Sequence, residues 1–377
     1  MLKEGRRALV EGMAVRRLDL TQFRNHDALS LAVGSGLIAI TGPNGAGKTN
    51  ILEALSLLGP GRGLRGAPIS EMATRTPEGA DEPGMAEARS FAVVATIGAD
   101  GMRLSTGTRA DQPGRRLARI DGAAATLAAL AERIALIWLT PAMDRLFLDA
   151  PAVRRRYLDR LVVALDPRHA ETLARHEAAL AERNRLLAMP GGGDPVWLDA
   201  VEARLAEAGA ALAEGRRRLV AALDARLAEA ADDGFPRARL TLAGDRPDLD
   251  IARDLAMGRA RDRAAGRTLG GVHRIDLLAH DRANGRAARL ASTGEQKALA
   301  IGITLSMAAL VGEARGAPPL LLLDEVAAHL DPDRRARLFA LLDASGAQCW
   351  MTGTDAALFD GLGASASRIS LGSQTHI

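Results

Sequence analysis

Apolar and polar residues along the chain form a pattern that predicts strands and helices in alternation. Alternation over 15–20 and an apolar run over 37–41 predict two strands, and the second leads through a glycine-rich turn into a predicted helix over 48–58. A loop rich in Gly and Pro is predicted over 59–90. Later patterns predict a helix at 295–311 and strands at 91–97, 102–106, 117–121, 134–139, 274–279, 320–323 and 348–352. The expected fold class is α/β with a mixed sheet.

The pattern becomes helical from Pro151 onward. A breaker rich in Gly and Pro at 189–195 separates two series of leucines spaced seven residues apart. The two series are Leu173, Leu180 and Leu187, then Leu198, Leu205, Leu212 and Leu219. This spacing predicts a short antiparallel coiled hairpin, and an amphipathic helix pair packed on a core fits it equally well. About 35 helical residues would span only about 50 Å, so a long rod is not expected.

The helical segment divides the α/β pattern into two parts that flank it. We therefore predict three segments: 13–150 as the first half of an α/β domain, 151–264 as a helical arm, and 265–377 as the second half. Residues 1–12 are predicted to be an extension ahead of the folded part.

Composition indicates a globular protein without a membrane span. Hydrophobic residues make up 47% and charged residues 25%, and no uninterrupted apolar run approaches the roughly 18 residues that a span needs. The single cysteine, Cys349, excludes an internal disulfide, and the N-terminus has no secretory apolar region. We therefore predict a cytoplasmic protein. The net charge of +3 does not by itself indicate a nucleic-acid partner.

The motif with the clearest chemistry is a glycine-rich loop between a predicted strand and a predicted helix. Its spacing is that of a P-loop, whose backbone N–H groups and following helix N-terminus bind phosphate oxygens. The chain has only three lysines, so a lysine here indicates a specific demand for a compact ammonium group. Lys48 is predicted to hold the β and γ phosphates, and Thr49 to ligate Mg²⁺. The loop consists of Gly42, Pro43, Asn44, Gly45, Ala46, Gly47, Lys48 and Thr49.

A second motif is the apolar run 320–323, which ends in Asp324 and Glu325. In parallel sheets, ligands bind at the carboxyl ends of the strands. Asp324 is predicted to hold Mg²⁺, and Glu325 to act as the general base that polarises the attacking water. The predicted catalytic residues are thus Glu325, Asp324 and Lys48, with ATP and Mg²⁺ as cofactors.

A third motif, Ser292 to Lys297, opens a predicted helix about 30 residues before the acidic strand. Ser292 and Glu295 satisfy a capping box. The segment also resembles the signature of ABC-type ATPases, which implies that Ser292 and Gly294 meet a γ-phosphate. Ala328 to Asp331 looks like the D-loop of that class, which implies a nucleotide role for Asp331.

The motifs together resemble the RecF family, in the SMC-like branch of ABC-type ATPases. The resemblance rests on 39–54, on Phe23 to Asn25, and on segments later in the chain. Those segments are 61–65, 154–159, 182–184, 271–274 and 292–297. It implies a P-loop ATPase head with a short helical arm, and nucleotide contacts from Arg24 and Asn25. The chain departs from the family pattern at Thr293, Ala142, Val272 and Ile275.

The same resemblance implies partners and a mechanism. ATP would join two copies, with the signature of one capping ATP held by the other, and the dimer would bind DNA at single/double-strand junctions. Slow, DNA-stimulated ATP hydrolysis and cooperation with the RecO and RecR mediators that load recombinase are also implied. Phosphate contacts in such proteins come chiefly from Arg and Lys, and of these two this chain has almost only arginines. The candidates are Arg62, Arg65, Arg154, Arg155, Arg156 and Arg160.

A competing interpretation is the nucleotide-binding subunit of an ABC transporter, or another SMC-like chromosome ATPase. A transporter subunit shares the P-loop, the signature and the acidic strand. Such subunits have no arginine triplet in their helical lobe and end their catalytic core with a histidine, whereas Thr352 to Asp355 holds that place here.

Overall fold

The computed structural model describes residues 14–74, 90–230 and 234–372. The predicted N-terminal extension lies outside the described residues, as does the part of the predicted loop over 75–89. Two compact units are present. One comprises 14–144, 234–235 and 300–372, and the other comprises Arg145–Ala230 and Pro236–Leu299.

The first unit contains an antiparallel sheet of six strands in the order β2-β1-β4-β5-β6-β7. Its core side presents alternate apolar side chains, as in Leu18, Leu20 and Val93. The turn between its first two strands, at Arg24, becomes part of the functional site. The strands are β1 (Val15–Phe23), β2 (His26–Ala32), β4 (Ala92–Ile97), β5 (Met102–Arg109), β6 (Gln112–Ile120) and β7 (Ala123–Ala125).

The first unit also contains a parallel sheet of five strands in the order β13-β3-β12-β11-β8. Gly353 at the end of β12 lies opposite Thr41 at the end of β3, and Leu323 of β11 lies opposite Met351. The carboxyl ends of the three central strands therefore meet at one edge. The strands are β3 (Leu37–Thr41), β8 (Leu136–Leu139), β11 (Leu320–Leu323), β12 (Cys349–Gly353) and β13 (Ser367–Ser370).

Helices complete the first unit. α1 (Lys48–Ser56) follows β3 and is buried along most of its length, with Ile51, Leu52 and Leu55 inaccessible to solvent. The described part of this unit also contains α2 (Leu127–Arg133), α8 (Pro332–Ser345) and the later part of α7 (Thr293–Arg315).

The second unit consists of four helices, the first part of a fifth, and a two-stranded ribbon. The helices are α3 (Pro151–Leu165), α4 (His169–Leu187), α5 (Pro195–Glu229) and α6 (Ile251–Ala264), and the ribbon pairs β9 (Ala238–Ala243) with β10 (Asp276–Asp281). Helices α4 and α5 are antiparallel: Arg183 binds Glu202, whereas His169, near the start of α4, lies beside Gly215. Because α5 also packs on α3, α6 and β9, the leucine pattern marks a helix pair within a packed lobe.

The second unit continues beyond the predicted arm boundary at residue 264. Strand β10 pairs with β9 and so belongs to the lobe that contains β9, and the unit ends at Leu299. Helix α7 (Thr293–Arg315) begins in the second unit and ends in the first. Among the described residues, α7 alone is long and apolar enough to cross a membrane by length and composition, and 61% of its apolar window is buried in the protein, as in a core helix.

Candidate nucleotide site

The P-loop follows β3 and wraps the start of α1. Gly42, Gly45 and Gly47 have φ values of 151, 84 and 93°, which favour glycine. A Cβ on Gly47 would collide with the His26 ring and the Asn25 side chain, so the loop lies close against the β1–β2 turn. Lys48 is 6% exposed, and its Nζ donates to the carbonyls of Gly42 (2.7 Å) and Pro43 (2.9 Å). The ammonium group is thereby held at the loop.

Asp324, which follows β11, contacts Thr49, which follows the P-loop lysine. Thr49 Oγ1 donates to Asp324 Oδ1 at 3.0 Å. Among the described residues, no group of three or more His, Cys, Asp or Glu side chains could hold a metal. Mg²⁺ takes only one or two carboxylates and fills its octahedron with water and phosphate oxygens, so one hydroxyl and one carboxylate at this distance fit Mg²⁺.

Thr352, on β12, contributes a contact that the sequence did not predict. Its Oγ1 donates to Asp324 Oδ1 at 2.6 Å and accepts from the backbone N–H of Glu325 at 2.9 Å. Glu325 has a φ of 50°, an uncommon value for a non-glycine residue, and this hydrogen bond helps to fix it. Thr352 therefore orients both predicted acids.

Replacing Thr352 by Val should destabilise the fold by about 1–3 kcal/mol, because the Glu325 N–H and the Asp324 carboxylate each lose a buried partner. Urea unfolding measures this loss, and ATP turnover should also fall. Thr352→Ser keeps the hydroxyl and should restore most of both quantities. Equal stability of the Val and Ser variants would contradict the bridging role.

The turn between β1 and β2 packs against the P-loop and donates hydrogen bonds to its backbone. Asn25 Nδ2 donates to Gly45 O at 3.1 Å, and its Oδ1 accepts from Asn50 at 2.6 Å. His26 is buried with a ring nitrogen 3.2 Å from Gly47 O, and burial lowers its pKa, so the ring is neutral at pH 7 and donates through that nitrogen. These residues hold the shape of the loop.

Arg24 binds protein groups with every guanidinium nitrogen. Nε and one terminal nitrogen donate to the Glu53 carboxylate at 2.8 and 2.6 Å, and the other terminal nitrogen donates to Glu71 O at 3.1 Å. These contacts brace the P-loop and α1, and the nucleotide contacts predicted for Arg24 and Asn25 remain predictions. Glu53, fully buried in α1, was missed because its partner lies 29 residues earlier in the chain.

The signature-like segment forms the capping box that its sequence predicts. The Ser292 N–H donates to Glu295 Oε2 at 2.6 Å, and the Glu295 N–H donates to Ser292 Oγ at 3.3 Å. Gly294 lies in the first turn of α7, where an added Cβ would meet open space. Asp331 caps α8 by accepting from the Arg334 N–H at 2.8 Å. Their predicted nucleotide contacts in a dimer remain predictions.

The arginines predicted to contact DNA differ in their exposure to solvent and in their contacts within the protein. Arg154 is buried, and its guanidinium forms a bidentate pair with Asp276 at 2.9 and 2.6 Å, so its charge is largely balanced within the protein. Arg160 lies over the Tyr157 ring, 5.2 Å from its centroid, and burial lowers its pKa to about 10.

The other four candidates are at least partly accessible. Arg62 and Arg156 are exposed, and Arg155 is half-buried. Arg65 is exposed and donates to Asn50 at 2.7 Å and to Glu53 at 3.3 Å. These four residues, the half-buried Arg160 and the paired Arg154 all remain predicted contacts.

The P-loop lies beside a parallel strand that ends in two acidic residues, and the second unit is inserted in the chain between these two motifs. This arrangement defines the class of SMC-type P-loop ATPase heads. A family model described as the RecF/RecN/SMC N terminal domain matches residues 14–370. The DNA replication and repair protein RecF of Mesorhizobium japonicum is 48% identical over 92% of this chain and 93% of its own length. The protein of that name from Brucella suis is 44% identical over 97% of both chains. The chain belongs to the RecF family.

A solved structure supports the fold. The recombination mediator protein RecF-ATPrS, described as part of the RecFOR pathway, superimposes with a TM-score of 0.77 at 23% identity, covering 94% of this chain and 95% of that one. The α/β ATPase head with a helical lobe, expected from the sequence, is thereby confirmed. Membership of the RecF family also excludes the transporter-subunit interpretation.

Proposed function

We propose that this protein is an ATP-dependent DNA-binding protein of recombinational DNA repair and replication-fork maintenance. The names of its relatives support this function, because they are DNA replication and repair proteins. The main observation in favour of ATP binding is the 3.0 Å contact between Thr49 and Asp324, at the edge of the parallel sheet where the P-loop begins. We also propose a cytoplasmic location.

Each residue at this edge has a distinct role. Lys48 binds the β and γ phosphates, and the N–H groups of the loop and of the α1 N-terminus donate to phosphate oxygens. Thr49 and Asp324 would hold Mg²⁺, which would neutralise phosphate charge. Glu325 accepts a proton from the attacking water as general base, in a position that Thr352 fixes through the backbone. Hydrolysis is expected to be weak and DNA-stimulated.

ATP is proposed to join two copies of the chain. In that dimer Ser292 and Gly294 of one protomer would meet the γ-phosphate held by the other, and Asp331 would lie at the same interface. The capping box supports this role, because it fixes a small hydroxyl at the N-terminus of α7. Two-fold symmetry would create two such sites in each dimer.

Ser292→Arg should abolish ATP-dependent dimerisation and leave ATP binding by the monomer nearly unchanged. The long cation would occupy the place of a small hydroxyl, while the P-loop lies elsewhere in the chain. Light scattering with and without ATP measures the mass. Arg289→Ala, a change at an exposed residue three positions earlier, is the control and should still dimerise. A Ser292→Arg variant that dimerises as wild type does would refute the role in trans.

DNA at single/double-strand junctions is the proposed macromolecular ligand, with the accessible Arg62, Arg65, Arg155 and Arg156 as the favoured contacts among the six candidate arginines. The RecO and RecR mediators are proposed partners, in keeping with the RecFOR pathway named for the structural neighbour. Fluorescence anisotropy of a labelled junction, with and without ATP, tests the proposal. Affinity should rise with ATP and fall steeply with salt, because several phosphates are neutralised together. Salt-independent binding, or none, would contradict it.

A further inference from the structure

A pocket of about 260 Å³ opens within the second unit, between α5, the loop after β9 and the segment before β10. Its lining includes Ala213, Val272 and Ile275, which are buried and form one apolar cluster. Arg217, Arg246 and Arg274 also line it. The pocket therefore combines an apolar base with arginines.

The arginines are unequally neutralised. Arg217 lies 3.0 Å from both Glu214 and Asp245, so its charge is balanced within the protein. Arg246 is 3.6 Å from Asp254, and its side chain is 58% exposed, so that pair is weak. The remaining positive charge at the pocket is carried mainly by Arg274 and Arg246.

Arg274 is exposed and forms no ion pair or side-chain hydrogen bond with any part of the chain that the structure describes. The nearest acid in sequence, Asp276, is taken by the bidentate pair with Arg154. An arginine at a pocket edge whose neighbouring carboxylate is already paired is suited to a carboxylate from outside the chain.

A network of buried and partly buried hydrogen bonds fixes the pocket wall. Thr268 donates to Asn184 Oδ1 through its N–H (2.9 Å) and its hydroxyl (2.7 Å), and the Leu269 N–H donates to Asp262 at 3.1 Å. Arg216 donates to Val272 O at 2.7 Å. The wall is therefore formed before any ligand arrives, which lowers the entropic cost of binding.

Size and lining favour a protein ligand over a nucleic acid. The volume is below the roughly 300–1,000 Å³ of pockets for drug-sized molecules, so one or two side chains would fill it. None of the described residues that line it carries an aromatic ring on which a base could stack. We propose that this pocket binds a short peptide segment of a partner protein, whose apolar side chain enters the base and whose neighbouring carboxylate pairs with Arg274.

The probe is a set of short fluorescent peptides, each with one central Leu, Ile, Phe or Trp flanked by alternating Asp and Ala. A matched set carries Lys in place of Asp. By fluorescence polarisation, at least one acidic peptide should bind about tenfold or more tightly than its basic counterpart, because only the acidic peptide can pair with Arg274. A labelled single strand of DNA is measured in parallel.

Two pocket variants and one control locate the binding. Arg274→Glu should weaken the acidic peptide about tenfold or more, and Ala210→Phe, at an exposed position in the lining, should block it by filling space. Arg239→Glu makes the same charge change at the opposite end of the β9–β10 ribbon, where Arg239 lies opposite His280 in the strand register. This control should leave the affinity for the acidic peptide unchanged. The melting temperature of each variant verifies its fold.

The proposal is overturned if no acidic peptide binds below about 1 mM, or if the acidic and basic sets bind equally. It is also overturned if both pocket variants bind as wild type does. Displacement of the acidic peptide by DNA, with DNA affinity lost in Ala210→Phe, would assign the pocket to nucleic acid instead. ATP binding and dimerisation are measured separately, so this result and a failure of the proposed function are distinguishable.

Discussion

Lys48→Ala is expected to weaken ATP binding by about 10–100-fold while the protein stays folded. A hydrogen bond to a charged group contributes roughly 1.5–3 kcal/mol, and Lys48 supplies such bonds to two phosphates. Among the described residues, the ammonium donates to the loop carbonyls of Gly42 and Pro43, so its removal deletes a polar contact and no core packing. Isothermal titration calorimetry measures the affinity, and the melting temperature should change little.

Arg62→Ala is the matched control for this variant. Arg62 is an exposed basic residue shortly after α1, and its loss should leave ATP affinity unchanged even if DNA affinity falls. ATP affinity in Lys48→Ala equal to that of wild type would refute the nucleotide site. A large loss of melting temperature would instead show that Lys48 mainly supports the fold.

Glu325→Gln is expected to slow ATP hydrolysis by about 100-fold or more while ATP binding is retained. General base catalysis contributes about 10²–10⁴-fold, and an amide cannot accept the proton. Loss of the negative charge also lowers repulsion of phosphate, so the ATP-joined dimer should live longer. Single-turnover kinetics measures the hydrolysis step, and light scattering after ATP removal follows the decay of the dimer.

Asp333→Asn is the control for Glu325→Gln, because it also removes one acidic charge, from an exposed residue in the first turn of α8. Its hydrolysis rate should match that of wild type. If Glu325→Gln turns over ATP at the normal rate, the general base is another residue.

The sequence predicted those parts of the site that a local pattern defines. The P-loop and the strand that ends in Asp324 and Glu325 are contiguous motifs with recognisable apolar runs, and the structure places them together. Strand β2 was missed because Leu29 and Leu31 have one polar residue between them, Ser30, and alanines on their outer sides, which leaves little alternation. Strand β13 was missed because its four residues include only one apolar side chain.

Contacts between distant segments could not be predicted from local pattern. Thr352 reaches Asp324 only because β12 pairs in parallel between β3 and β11, and those pairings join segments far apart in the chain. The sequence does not show that Arg154 is paired, because its partner, Asp276, lies 122 residues later. A run of arginines in the sequence shows where positive charge lies. Whether acidic residues neutralise that charge depends on tertiary contacts, which the local sequence does not show.

We propose that this protein couples ATP hydrolysis at the Lys48 site to DNA binding. The most direct test is the steady-state rate of ATP hydrolysis by purified protein, with and without DNA that contains a single/double-strand junction. We expect a slow rate without DNA, a several-fold increase when the junction is added at low salt, and loss of that increase as salt is raised. A rate that DNA does not change at low salt would contradict the account.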